Sequence, residues 1–178
     1  QTAQELAKKY QVSFTNFSIS GATTEDVLQN QIKEGLLLKP DLVLLSISAN
    51  DLTSLRSTND LKNNMQKIID QLIAENCKVK IVVTGTPDMG SIPRFAQPLR
   101  WVAGLRTQQY NDVFDQLIQK NDLTLAPIAK DTGPVFRSDP TLFAKDRFHP
   151  NERGYALWTA VINDAIERSL TTQPSHCK

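Results

Sequence analysis

A chain of 178 residues, 40% hydrophobic and 22% charged, has enough apolar mass for one domain with a sizeable core and too little for two. With 20 basic residues against 19 acidic, the formal charge is +1, and no block of Lys or Arg forms a phosphate track, which argues against nucleic-acid binding. No apolar run approaches the length of a bilayer span, so no integral membrane segment is expected.

The first residue is Gln1 rather than Met, and no secretory leader is present, which points to a native start removed upstream. A soluble protein is expected, either cytoplasmic or exported after loss of an N-terminal segment. Gln4 to Tyr10 reads as the end of a helix, with Leu6, Ala7 and Tyr10 at helical spacing. Val12 to Ile19 alternates imperfectly and reads as a strand. Gly21-Ala22 follows, and Thr24 is placed to cap a helix carrying Val27, Leu28, Ile32 and Leu36. Leu42 to Ile47 is a continuous apolar run, as expected of a strand covered on both faces.

Thr58 or Asp60 can cap the next helix, whose inner face is Leu61, Met65, Ile68, Ile69, Leu72 and Ile73. Val79 to Val83 reads as another buried strand, and the Pro-rich stretch from Gly90 to Arg100 as a long loop. A helix bearing Tyr110, Val113, Phe114, Leu117 and Ile118 follows, then a strand at Leu123 to Pro127. Asp131 to Arg147 reads mostly as loop. Gly154 to Leu170 makes the last helix, with Tyr155, Trp158, Val161, Ile162, Ala165 and Ile166 buried, and residues 171–178 form a frayed tail. Cys77 and Cys177 lack CxxC spacing; they are either one disulfide or a half-buried thiol and a tail thiol.

Strands alternating with helices predict an α/β fold with a parallel sheet covered on both faces. Right-handed crossovers gather the C-terminal strand ends on one rim, where functional groups collect. Near that rim, Asp146-Arg147-Phe148-His149-Pro150 sets a carboxylate three residues before an imidazole. In a turn, the Asp can hold one ring nitrogen and leave the other free to take a proton. Gly21 allows close approach of the backbone, and Asn50 at a strand end can donate an amide hydrogen to an oxyanion. Asp51 beside it is better placed to brace the loop than to react.

Three segments together resemble the SGNH, or GDSL-type, esterase and lipase superfamily. They are Asn16-Phe17-Ser18-Ile19-Ser20-Gly21-Ala22-Thr23, Ala49-Asn50-Asp51-Leu52, and Asp146 through Tyr155. The resemblance implies a three-layer α/β/α flavodoxin-like fold over residues 1–178 as one domain. It implies serine hydrolysis of small-molecule carboxylic esters without a cofactor or metal, with Gly21 and Asn50 as oxyanion donors, His149 as base and Asp146 as its partner. Ser48 stands where the family often has Gly, a position that contributes turn geometry. The family's nucleophile lies in a Gly-Asp-Ser block after the first strand, and no such block occurs here. The resemblance therefore implies an absent upstream βα unit of roughly 30–50 residues, held as a separate fragment or replaced in its slot by another segment. Expected acyl groups are short to medium, lined by the Met89 to Trp101 loop. Rival readings are a carbohydrate O-deacetylase and a silent binding protein on the same fold. A flavin or nucleotide binder lacks a Gly-rich phosphate loop, and His149, Asp146 and Asp51 make a poor zinc set. Oligomeric state is not encoded legibly.

Overall fold

A computed structural model describes all residues except Gln173–Ser175 and Lys178. In chain order the elements are α1 (Thr2–Leu6), α2 (Thr24–Asp26), a π-helical turn (Val27–Gln31), α3 (Ile32–Leu37), β1 (Leu42–Leu45), α4 (Ala49–Thr53), α5 (Thr58–Glu75), β2 (Lys80–Val83), α6 (Leu99–Asn121), β3 (Thr124–Leu125), α7 (Ile128–Ser138) and α8 (Glu152–Thr171). The strands form a parallel sheet in the order β1-β2-β3.

Alternation along the strands divides the core. Leu45, Ile81 and Val83 face one cluster with Leu61, Met65, Ile68 and Leu72 of α5 and Tyr110, Phe114 and Leu117 of α6. Val82, with Leu42 and Leu44 against it, faces the other, formed with Ile162, Ala165 and Ile166 of α8 and Leu6 of α1. The sheet is thus the middle of three layers, as the sequence predicts. The inner face of α5 is buried over Leu61, Met65, Ile68, Ile69 and Leu72.

Several expectations are corrected. Val12 to Ile19 is not a strand: its backbone is irregular, and Phe14 and Ile19 are 66% and 60% exposed. A strand exists only when a neighbour takes its backbone groups, and among the described residues β1 pairs with β2 alone. The last strand shrinks to two residues. Asp131 to Arg147 is not mostly loop, because α7 runs through Gly133-Pro134. Burial of Ile128, Thr132, Gly133 and Phe136 on one face outweighs the bond that proline forfeits. The helix caps fall one residue early, at Thr23 and Ser57. Each forms a capping box, with Asp26 and Asp60 respectively. Tyr155 is 41% exposed rather than core.

The predicted frayed tail lies partly outside the described residues, but Thr171 ends α8 and Cys177 is bonded to Cys77. That disulfide settles the two cysteine readings. Among the described residues no helix is long and apolar enough to cross a membrane.

Candidate active site

The turn carrying His149 is built by its own backbone. Phe143 and Pro150 form an isolated antiparallel bridge, and the Ala144 N–H donates to the His149 carbonyl at 2.8 Å. Arg147 closes the turn at φ 58°, a left-handed conformation uncommon for a side-chain-bearing residue. Below the turn, Asn151 caps α8 by accepting from the Gly154 N–H, while its amide donates to the Thr141 and Phe143 carbonyls. Gly154 permits this packing: a Cβ there would meet the Leu142 carbonyl oxygen at 2.6 Å and Pro150 Cβ at 2.8 Å.

Asp146 organises the turn. Its Oδ1 accepts the N–H groups of Phe148 and His149 at 3.0 and 3.1 Å, and its Oδ2 lies 2.6 Å from His149 Nδ1. The His149 hydrogen bond, with the two backbone donors, lowers the Asp146 pKa to about 2. The carboxylate is therefore charged at neutral pH and fixes the proton of neutral His149 on Nδ1. Nε2 is then an acceptor, and the imidazole side chain is 61% exposed. A base of this kind can take a proton from a hydroxyl brought to it.

Gly21 and Asn50 form the second pair. The Asn50 side-chain amide donates to the Ala22 carbonyl at 2.9 Å, which seats it beside Gly21. An amide nitrogen carries two hydrogens, so one donor remains. Gly21 stands at φ 82° with open space where a Cβ would be. Its N–H has no acceptor among the described residues.

Behind this pair lies a buried polar brace. Asp51 is 1% exposed and accepts from Thr24 three times, from its N–H at 3.0 and 3.2 Å and from its hydroxyl at 2.6 Å. Burial pushes the Asp51 carboxyl above the usual range, against the pull of the Thr24 hydrogen bonds. Asp51 is thus turned toward Thr24, and among the described residues no three His, Cys, Asp or Glu side chains cluster to hold a metal. Ser48 sits at φ 120°, buried, with its hydroxyl 2.8 Å from Thr86 Oγ1. The turn after β1 therefore holds Ser48 at a positive φ, which a glycine, the residue the family often has here, adopts without strain.

The Met89 to Trp101 segment includes a short 3-10 turn at Met89–Ser91 and the start of α6. Met89 and Ile92 are buried. The Arg94 N–H donates to the Arg147 carbonyl, and the Arg147 guanidinium to the Pro93 carbonyl, tying the loop to the His149 turn. Phe95 packs edge-on against Phe148, whose ring lies 4.9 Å from that of His149. Phe148 was not singled out as a separate wall residue by the sequence; its place between Asp146 and His149 was the available signal. No hydrogen bond joins the Gly21–Asn50 pair to the Asp146–His149 pair among the described residues.

Known proteins share this arrangement of elements. A GDSL-like esterase of Mycobacterium tuberculosis is 30% identical over 173 residues, which are 95% of this chain and 53% of that protein. The chain thus spans about half the length of that curated relative. A lipase/acylhydrolase from Enterococcus faecalis superposes with a TM-score of 0.74 at 23% identity, covering 98% of this chain and 85% of that one. The psychrotrophic esterase EstA from Pseudoalteromonas sp. gives 0.70 at 19% identity, covering 95% and 84%. A carbohydrate esterase family 3 structure from Talaromyces cellulolyticus gives 0.64 at 18%, covering 86% and 71%. At these identities the solved structures speak for the fold, which is that of the flavodoxin-like SGNH hydrolases. The family model of the GDSL-like lipases and acylhydrolases matches residues 1–157, and the chain belongs to that family.

Proposed function

We propose that the whole protein hydrolyses carboxylic esters of short to medium acyl groups through an acyl-enzyme. The observation that carries this reading is the 2.6 Å Asp146–His149 pair with its exposed ring, in a chain of this family. The serine nucleophile comes from a βα unit upstream of Gln1. Two features support that source: the sequence contains no Gly-Asp-Ser, and β1 has no second neighbour among the described residues.

His149 Nε2 takes the serine proton as Oγ attacks the acyl carbon and the carbonyl electrons move onto oxygen. The Gly21 N–H, the free Asn50 amide hydrogen and the nucleophile's own N–H hold that oxyanion. The oxyanion collapses, the bond to the alcohol oxygen breaks, and His149 returns its proton to the leaving alkoxide. Water then attacks the acyl-enzyme with His149 again taking a proton, and the serine leaves with it. Asp146 stays ionised and keeps the imidazole oriented throughout. Phe95 and Phe148 supply an apolar side for the acyl group.

A p-nitrophenyl ester series from acetate to palmitate on the full-length protein tests this. Activity peaking at short or medium chains is the expected result, and a peak at palmitate would overturn the acyl preference. Full activity in a sample of these 178 residues alone would sink the upstream serine. A second reading, a silent binding protein, rests on the missing Gly-Asp-Ser; another residue at that place in the full-length sequence would favour it. No turnover on simple esters, with Gly-Asp-Ser present, would shift the reading to carbohydrate O-deacetylation.

A further inference from the structure

A cavity of about 370 Å³ lies between the start of α6, the Met89–Ser91 turn and α7. It contains none of Gly21, Asn50, Asp146 or His149. Its volume is that of a small-molecule site. Trp101 and Leu105 stand one turn apart on α6, and the Trp101 residue is 63% exposed. Such a ring is a costly surface to leave in water and a natural stacking platform.

The polar lining is basic. Arg100 and Arg137 both line the cavity. Arg137 forks onto Asp88 through Nε at 2.6 Å and Nη2 at 3.1 Å, which cancels its charge and fixes its plane. Arg100 has no such partner: it forms no ion pair among the described residues, so its guanidinium keeps an uncompensated charge at the cavity wall. Gln97 and Gln108 add two amides, each able to donate and accept. The floor is backbone: a Cβ on Gly90 would sit 2.9 Å from Gly104 Cα, so side chains are kept out of the base of the cavity.

We propose that this cavity binds a carboxylate-bearing saccharide unit. A sugar ring has an apolar C–H face for Trp101, hydroxyls that need partners of both kinds for Gln97 and Gln108, and a carboxylate for Arg100. An uncharged sugar leaves Arg100 unpaired, and a plain aromatic acid leaves the two amides unused. The chain's overall charge near zero gives no long-range pull on polyanions, so recognition is local to Arg100. The loop from Ser91 to Gln97 walls the cavity and also buttresses the His149 turn through Arg94 and Pro93. Binding here is read without turnover, so the inference stands or falls independently of ester hydrolysis.

Isothermal calorimetry on the full-length protein with glucuronate, glucose and benzoate is the test. Glucuronate is expected to bind at millimolar concentration, and glucose roughly tenfold more weakly, the loss of one charge-assisted contact. Added NaCl weakens glucuronate and leaves glucose unchanged. Arg100→Gln abolishes the difference between the two sugars. Trp101→Ala removes binding of both with an unchanged thermal melt, since that side chain is largely in solvent. Equal affinity for glucuronate and glucose in the wild type, or a preference that survives Arg100→Gln, would overturn the proposal. Benzoate bound as tightly as glucuronate would overturn the saccharide assignment.

Discussion

Two aspartates stand behind the two halves of the site, and they are held in opposite ways. Asp51, behind Asn50, is buried and takes its hydrogen bonds from a residue 27 positions earlier. Asp146, behind His149, is 39% exposed in its side chain and takes its three bonds from Phe148 and His149, two and three positions later. Burial raises the pKa of the first, and a hydrogen-bonded imidazole lowers that of the second to about 2. Under the proposed mechanism the contrast separates two tasks. Placing oxyanion donors requires distant segments to be locked together, so it takes a buried polar network. Orienting an imidazole needs only a fixed turn, which local backbone bonds supply in water.

On that division, damage on the two sides differs in kind. The largest effect is expected from His149→Ala, with turnover of the full-length enzyme falling by roughly 10³–10⁴-fold or more. Because the ring is exposed, the urea midpoint falls only slightly, by what its surface hydrogen bond to Asp146 contributes; a large shift would show that the turn itself depends on the ring. Next is Asn50→Ala, with a loss of ~2–4 kcal/mol in transition-state stabilisation and little change in KM. Unchanged turnover would remove Asn50 from the oxyanion hole.

Asp51→Ala comes third and acts on folding. It strands the buried Thr24 N–H and hydroxyl, at a cost of about 1–3 kcal/mol in urea unfolding. A stability equal to wild type would mean that Asp51 does not brace the site.

The pH dependence of the two aspartates has opposite sign. Asp146 has a folded pKa below its unfolded value, so its contribution is present above about pH 4 and is lost as pH falls through about 2. Asp51 has a raised pKa, so its contribution is full below about pH 4 and declines as pH rises through the folded value. Asp146→Asn should flatten the acid side of the stability curve, and Asp51→Asn the decline above it. Urea titrations from pH 2 to 7 read both, and parallel curves for the two variants would refute the contrast. The smallest effect is expected from Ser48→Gly. Relief of the positive φ is worth about 1–2 kcal/mol, and the lost hydroxyl bond to Thr86 costs about 1, so net stability changes by roughly 1 kcal/mol or less.

What the residues disclosed follows the same division between local and distant. The Asp146–His149 geometry is legible because it is decided within four consecutive residues, by two backbone bonds to Asp146. The inner face of α5 was legible because its periodicity is carried by one helix. Val12 to Ile19 was misread because alternation describes a face, whereas a strand also needs a neighbour. Helix α7 was misread because Gly133 and Pro134 are breakers by local rule, overridden here by burial of Phe136 and Ile128. The Asp51–Thr24 brace and the partner of Cys77 depend on contacts across long stretches of chain, which one sequence does not display.

The bond between Cys77 and Cys177 spans 100 residues. It encloses all of β2, α6, β3, α7 and α8, and the His149 turn. The exposed stretch at Arg94 and Ala96–Leu99 lies inside that covalent ring. A protease that cuts there leaves a single molecule with two new ends. Such a nicked protein keeps its apparent mass on a non-reducing gel and separates into two fragments only when the thiols are freed.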